Sequence, residues 1–218
     1  MKPKILVIVG PTASGKSNLA VLLAKKFGGE VVSADSRQVY RGLNIGSGKV
    51  TTKEMAGVTH HLLSIASPKR VYSVAQYQVT ATRVIADILK RGKRPIICGG
   101  TGQYVQSIVD GLSLPLTSLK NKIEIRLLKR LKQGMIAEVK KLRADGLSWK
   151  RLESFGLEYR YLARFLQNKI TRTKMIAQLS TEITHYAKRQ MTWFKKDRRI
   201  IWVTRPAEAE KLVKKFLD

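Results

Sequence analysis

The residues Gly10-Pro11-Thr12-Ala13-Ser14-Gly15-Lys16-Ser17 have the spacing G-x-x-x-x-G-K-S. Glycines at such positions let backbone N–H groups curl around phosphate oxygens, and a helix opening after the loop aims its positive end at the same anion. Gly10, Thr12, Ala13, Ser14 and Gly15 would cradle a phosphate or pyrophosphate, Lys16 would neutralise it, and the Ser17 hydroxyl would hold Mg²⁺. A carboxylate, Asp35, follows a second apolar run, and a second glycine turn, Gly99-Gly100-Thr101-Gly102, follows a third.

These groups meet only if the runs before them are neighbouring strands. Ile5-Leu6-Val7-Ile8-Val9 is continuously apolar, as a parallel strand covered on both faces is, and Asn18 to Ala24 reads as the helix after the loop. Glu30 to Ala34 and Pro95 to Cys98 read as further strands, and a carboxylate at the carboxyl end of the former lies beside the phosphate loop. No apolar run ends in the metal-binding Asp of a nucleoside triphosphatase. The nearest, Val32-Ser33-Ala34-Asp35, continues into Ser36-Arg37-Gln38.

Helical spacing marks Ser73 to Arg91 and, after the glycine turn, Gln103 to Asp110. Beyond Pro115, apolar positions from Ile123 to Leu142 predict one long amphipathic helix ending near Gly146. Glu158 to Leu166 and the stripe Ile176, Leu179, Ile183, Tyr186, Gln190, Trp193 predict two more. Ile200-Ile201-Trp202-Val203 reads as a closing strand, and Pro206 opens a last helix to Phe216. The β-α alternation predicts an α/β fold, a P-loop three-layer parallel sheet with flanking helices and a helical C-terminal half. Residues 1–218 read as a single domain: a P-loop core over 1–115, a junction over 116–121, and a basic helical part over 122–218.

The 218 residues hold 42 Lys and Arg against 15 Asp and Glu, a net charge of +27. Between Lys120 and Arg199 there are 22 basic and 7 acidic residues, so the C-terminal half is the expected face for a polyanion, nucleic acid before acidic membrane. No stretch has the apolar length to cross a bilayer, and a cytoplasmic monomer is expected. The single cysteine, Cys98, excludes disulfides and reads as a small buried hydrophobe. His60 and His61, adjacent on a strand, point to opposite sides, so a shared metal is not expected.

At Asp35-Ser36-Arg37-Gln38-Val39-Tyr40 the chain resembles the tRNA dimethylallyltransferase (tRNA isopentenyltransferase) family. His60-His61-Leu62, Tyr72-Ser73-Val74-Ala75, Gly99-Gly100-Thr101-Gly102-x-Tyr104 and Ala187-Lys188-Arg189-Gln190-Met191-Thr192-Trp193-Phe194 match in the same order. The resemblance implies transfer of an isopentenyl group from dimethylallyl pyrophosphate to N6 of the adenine next to the anticodon. It implies that Asp35 is the general base, that Lys16, Thr101 and Arg126 grip the pyrophosphate, and that Ser17 acts through Mg²⁺. Ser36 and Gln38 would contact the target adenine, and Lys188, Arg189 and Gln190 the anticodon stem-loop. Trp193 and Phe194 suit either stacking on bases or packing of the helix.

The chain departs from the family between Pro115 and Arg126, where members carry a helical insert that grips the anticodon arm and a core segment with a sheet strand. Asn44 and Ser64 stand where Asp is usual, with Gln103, Leu157 and Thr184 as smaller departures. Three functions remain open on sequence: a minimal tRNA prenyltransferase, an adenylate prenyltransferase acting on free nucleotide, and a non-catalytic RNA-binding protein that keeps the loop for stability.

Overall fold

The structure, a computed structural model, describes residues 4–108 and 120–217. The strands are β1 (Leu6–Val9), β2 (Gly29–Ser33), β3 (His60–His61) and β4 (Arg94–Gly99). They form one sheet in the order β1-β4-β2-β3, and every pairing is parallel. The register sets Val9 beside Gly99 and Ser33 beside Cys98. The carboxyl ends of β1, β2 and β4 therefore lie together, and the loops that follow them meet on one edge.

Alternation along the strands builds two core layers. Leu6, Ile8, Val31, Ile96 and Cys98 face α1 (Lys16–Phe27) and α10 (Pro206–Leu217). Val7, Val9, Val32, Ala34 and Ile97 face the other helices. There α3 (Val74–Lys90) starts on a reciprocal Ser73/Gln76 cap. Its Tyr77 donates to the Ser33 carbonyl at 3.0 Å and stacks on Tyr104 of α4 (Gly102–Gln106), with ring centroids 3.9 Å apart. That pair fixes the glycine turn of β4 against the end of β2. A short α2 (Thr52–Met55) lies in the β2–β3 connection.

The C-terminal half contributes α5 (Lys120–Lys132), α6 (Met135–Ala144), α7 (Trp149–Ser154), α8 (Leu157–Leu166) and α9 (Arg172–Lys195). Their buried faces, including Ile123, Val139, Leu162 and Leu179, join the same core as Val32 and Tyr77. The two halves of the chain thus share one interior.

Two expected elements differ. The long helix predicted from Ile123 to Leu142 is broken after Lys132, where Gly134 adopts φ +96 and starts α6. The apolar spacing continues across the break because both helices pack on the same core, so periodicity alone does not register the change of axis. The run Ile200 to Val203 is not a strand among the described residues. Ile200 is buried in the helical layer and Val203 in the α1/α10 layer, so this segment passes from one core layer to the other rather than along a strand, and its apolar character reflects two separate burials. The predicted helix to Asp110 is seen as α4 up to Gln106, and its last residues, like the junction expected at 116–121, involve positions outside the described residues.

Glu30 on β2 supports the sheet away from the glycine loops. Its buried carboxylate accepts from Arg91 at 2.6 and 2.8 Å, from Lys93 at 2.7 Å, and pairs with His61 at 2.7 Å. His60 bonds the Val58 carbonyl at 2.9 Å instead, so the two histidines do go to separate partners. The Arg91 hydrogen bonds hold the Glu30 carboxyl far below its ordinary range. A carboxylate with a depressed folded pKa contributes stability above its unfolded value, near 4.5, and loses it as pH falls through the folded value. Glu30→Gln is expected to cost about 2 kcal/mol at neutral pH. In thermal melts between pH 7 and 3, the unsubstituted protein should lose stability below about pH 4.5 more steeply than the variant.

Candidate active site

The loops after β1, β2 and β4 enclose a cleft of about 280 Å³. Thr12 to Ser17 form one wall. Gly15 caps α1 in the left-handed region, with φ 87, and the apolar stripe Leu19, Ala20, Leu23 seats the helix on the sheet so that its N-terminus faces the cleft. Within the loop, Ser14 Oγ is buried and, among the described residues, has no hydrogen-bond partner. A buried hydroxyl of that kind inside a cradle of N–H groups fits an anionic oxygen as its partner. Lys16 Nζ donates to the Pro11 carbonyl at 3.1 Å, and burial lowers its pKa. Ser17 is exposed to the cleft at the second position of α1.

Asp35 leaves β2 at its carboxyl end and lines the same cleft. Oδ1 accepts from the backbone N–H of Arg37 at 2.9 Å and of Gln38 at 3.4 Å. That turn holds the carboxylate in place, and both hydrogen bonds to it among the described residues fall on Oδ1, leaving Oδ2 for a proton. Gln38 Nε2 donates to the Gly48 carbonyl at 3.2 Å.

Arg126, ninety-one residues beyond Asp35, arrives from α5 and donates from Nη1 to Thr12 Oγ1 at 3.3 Å. Burial, then the neighbouring Arg130, pulls its guanidinium down to about 10, and burial lowers Arg130 as well. Protonated forms that are disfavoured by burial and by each other gain from an added anion. The cleft is therefore a site for a compact, multiply charged anion.

Thr101 is turned away from the centre of the cleft. Its Oγ1 accepts from Ser36 N–H at 3.0 Å and donates to Ser36 Oγ at 3.3 Å, tying the β4 turn to the β2 loop. Gln190, expected from its motif to meet RNA, lines the cleft. It is buried on α9, its Oε1 accepts from Thr12 N–H at 3.0 Å and its Nε2 donates to the Gly100 carbonyl at 2.8 Å. An amide bonded to backbone on both ends clamps two loops, with one N–H and one oxygen lone pair left over. Lys188 and Arg189, on the same turn, are exposed. Of the adjacent aromatics, Phe194 packs inward and Trp193 faces out.

Several residues of the cleft were not assigned from sequence. Glu158 at the start of α8 is buried, pairs with Arg37 at 2.5 Å and reaches Arg130 at 3.4 Å. Burial alone would lower the Arg37 pKa, but Glu158 and then Asp35 reverse this and raise it. Gly48, with φ +62, has no room for a side chain, since a Cβ would fall 1.5 Å from Arg130 Nη2 and 2.6 Å from Arg126 Nη2. Glu138 of α6 sets that loop by accepting from the N–H groups of Asn44, Ile45 and Gly46 at 2.9, 2.7 and 3.0 Å, and from Tyr159 at 2.8 Å. Gly156 before Glu158, and the Gly46/Gly48 pair, were the available signals.

Lys49 in this loop shows the effect of the two missing aspartates. Its Nζ donates to the Tyr40 carbonyl at 2.7 Å, Asn44 Oδ1 at 3.0 Å and Ser64 Oγ at 2.6 Å. All three acceptors are neutral, and burial pulls the ammonium down to about 8.

The IPP transferase family model matches residues 38–118 and 112–197. The chain is 34% identical to the tRNA dimethylallyltransferase 2 of Treponema denticola, over 89% of this chain and 92% of the relative. The chain belongs to the IPP transferase family. A tRNA dimethylallyltransferase of Carboxydothermus hydrogenoformans is 31% identical over 100% of this chain and 97% of its own. That alignment runs over 303 positions against 218 residues here, so the relative carries segments that this chain lacks. The family model itself matches in two pieces that overlap at 112–118. Among solved structures, the tRNA isopentenylpyrophosphate transferase of Bacillus halodurans superposes with a TM-score of 0.93 at 28% identity, over 99% of this chain and 97% of that one. The P-loop α/β fold expected from the strand and loop pattern is thus the fold of the family.

The Gln190 clamp is open to a direct test. Gln190→Leu removes both hydrogen bonds, leaving Thr12 N–H and the Gly100 carbonyl unpaired, which is expected to cost about 1–3 kcal/mol. In melting experiments with and without inorganic pyrophosphate, the variant should melt lower and respond less to the anion than the unsubstituted protein does. An undiminished response would separate Gln190 from the shape of the phosphate loop.

Proposed function

We propose that this chain transfers a dimethylallyl group from dimethylallyl pyrophosphate to N6 of adenine 37 of tRNA, next to the anticodon. The observation that carries this reading is the convergence of an anion cradle, a distant arginine and a carboxylate in one cleft. Lys16 and the phosphate loop hold the pyrophosphate, and Arg126 reaches it from the opposite side through Thr12. As the allylic C–O bond breaks, carbocation-like charge stays on the prenyl carbon and negative charge on the departing oxygens, so fixed donors there stabilise the transition state. Adenine N6 attacks that carbon, and Asp35 takes the N6 proton, which becomes acidic only as the C–N bond forms. Thr101 acts on the pyrophosphate side through the Ser36 contact that holds the β2 and β4 loops together. Ser36 and Gln38, flanking Asp35, face the adenine.

Mg²⁺ fits the site. Ser17 supplies a hydroxyl to a hard cation whose other positions would be pyrophosphate oxygens and water. When bound it neutralises part of the leaving group's charge. Among the described residues no group of three acidic, histidine or cysteine side chains could replace that arrangement.

tRNA is the acceptor class that the charge supports. Lys188 and Arg189 are exposed within the basic C-terminal half and contact the anticodon stem-loop. No described helix is long and apolar enough to cross a membrane. In this reading the protein works as a cytoplasmic monomer.

Asp35→Asn keeps an acceptor for the Arg37 and Gln38 N–H groups but removes the base. Prenyl transfer is expected to fall by ~10²–10⁴ while affinity for dimethylallyl pyrophosphate is retained. Full activity in the variant would remove Asp35 from the mechanism. The acceptor is decided by competition between an anticodon stem-loop and AMP for labelled donor at two salt concentrations. Binding of the stem-loop should weaken by ~10³ or more from 50 to 200 mM salt if six or more phosphates are contacted. Lys188→Ala or Arg189→Ala should each reduce the salt slope by about one. Salt-insensitive prenylation of AMP in preference to the stem-loop would assign the enzyme to free nucleotide instead.

A further inference from the structure

Near the end of α9 two aromatic residues stand side by side, and successive helical residues point about 100° apart. Phe194 is 4% exposed and belongs to the core, whereas Trp193 is 49% exposed. The indole is not loose. It lies on Gly102 at the start of α4, where a Cβ would fall 2.4 Å from its Nε1 and 2.8 Å from Cδ1 and Cε2. The glycine of the β4 turn therefore makes a seat for this ring.

Two cavities share Trp193 as a wall. One, of about 290 Å³, is bounded also by Thr101, Tyr186, Arg189 and Gln190, and Thr101 connects it to the Asp35 loop through Ser36. The other, of about 450 Å³, lies between Val105 and Gln106 of α4 and the residues Lys196, Asp197 and Arg198 after α9. Lys196 and Arg198 are exposed and, among the described residues, have no acidic partner. The carboxylate between them, Asp197, is held by Arg199 at 2.9 and 2.8 Å, so its charge does not oppose an incoming anion. A seated aromatic ring beside two unmatched cations offers what a nucleotide needs: a π face for the base and positive charge for its phosphate.

We propose that the larger cavity is a second nucleotide site, which stacks the base adjoining the reactive adenine on Trp193 and holds its phosphate on Lys196 and Arg198. This rests on the tRNA reading above. When one base swings out of its stack to reach a buried pocket, its neighbour loses a stacking face. Trp193 replaces that face at low ordering cost, because the ring is already fixed on Gly102. The helix of the RNA-facing motif then has two outputs: Gln190 clamps the phosphate loop from inside while Trp193 receives the RNA outside.

The test measures binding of anticodon stem-loops in which the nucleotide on the 5′ or the 3′ side of the reactive adenine is abasic. Trp193→Ala should weaken binding of the intact stem-loop by roughly 5- to 100-fold, leave dimethylallyl pyrophosphate affinity unchanged, and be largely rescued by Trp193→Phe. An abasic site at one of the two neighbours should weaken the unsubstituted protein by a similar factor and have no further effect in Trp193→Ala. The double variant Lys196→Ala/Arg198→Ala, which leaves the ring and the core in place, should lower the salt slope by about two and lose the same fold-change for both stem-loops. If the abasic and Trp193→Ala losses multiply at both positions, and the double variant binds normally, the second site is overturned while the tRNA reading stands. If the unsubstituted protein does not bind the intact stem-loop at all, the tRNA reading falls and this site falls with it.

Discussion

Everything in the cleft depends on keeping several cations close together at low dielectric. Lys16, Arg37, Arg126 and Arg130 converge there, and burial works against each of their charged forms. Glu158 is the carboxylate that makes the cluster tolerable, since it is buried and bonded to Arg37 and Arg130 at once. It is also placed to compensate only part of the charge. Arg126 and Lys16 are left with neutral partners, Thr12 Oγ1 and the Pro11 carbonyl. That residual imbalance requires the helical half to pack tightly on the P-loop core, because α5 and α8 bring Arg126, Arg130 and Glu158.

The helical half is accordingly part of the active site rather than an appendage to it. Glu138 of α6 gathers three successive N–H groups of the 44–46 loop, Tyr159 of α8 steadies the same carboxylate, and Gly48 is thereby laid against the two guanidinium groups. Gln190 of α9 joins the first and last phosphate-side loops. Helices that bear the excess positive charge on their outer faces thus hold the reacting groups with their inner faces.

Much of this was legible before any coordinates. The G-x-x-x-x-G-K-S spacing, the apolar strand before it and the β-α alternation lead to a P-loop α/β fold, because short-range patterns of burial and turn chemistry are written locally. Asp35 at the end of a strand was predictable for the same reason. Arg126, ninety-one residues beyond Asp35, became a site residue only by resemblance, since nothing in its helical surroundings distinguishes a cleft arginine from a solvated one. For Gln190, a motif says that a residue matters and not whether its hydrogen bonds go inward or outward.

By itself the sequence determined the anion-binding loop, the parallel character of the sheet, the charge on the C-terminal half and the family. Those properties depend on residue type and spacing over a turn or a strand. Only the tertiary structure decided that Gln190 is a clamp, that Phe194 packs while Trp193 faces out, that Glu158 rather than a surface counter-ion balances Arg37, and that Ile200 to Val203 passes between two core layers instead of pairing in the sheet. Each of these is a choice between two environments open to the same side chain. The outcome is set by which distant element occupies the other side, and that information is carried by the packing of the whole chain.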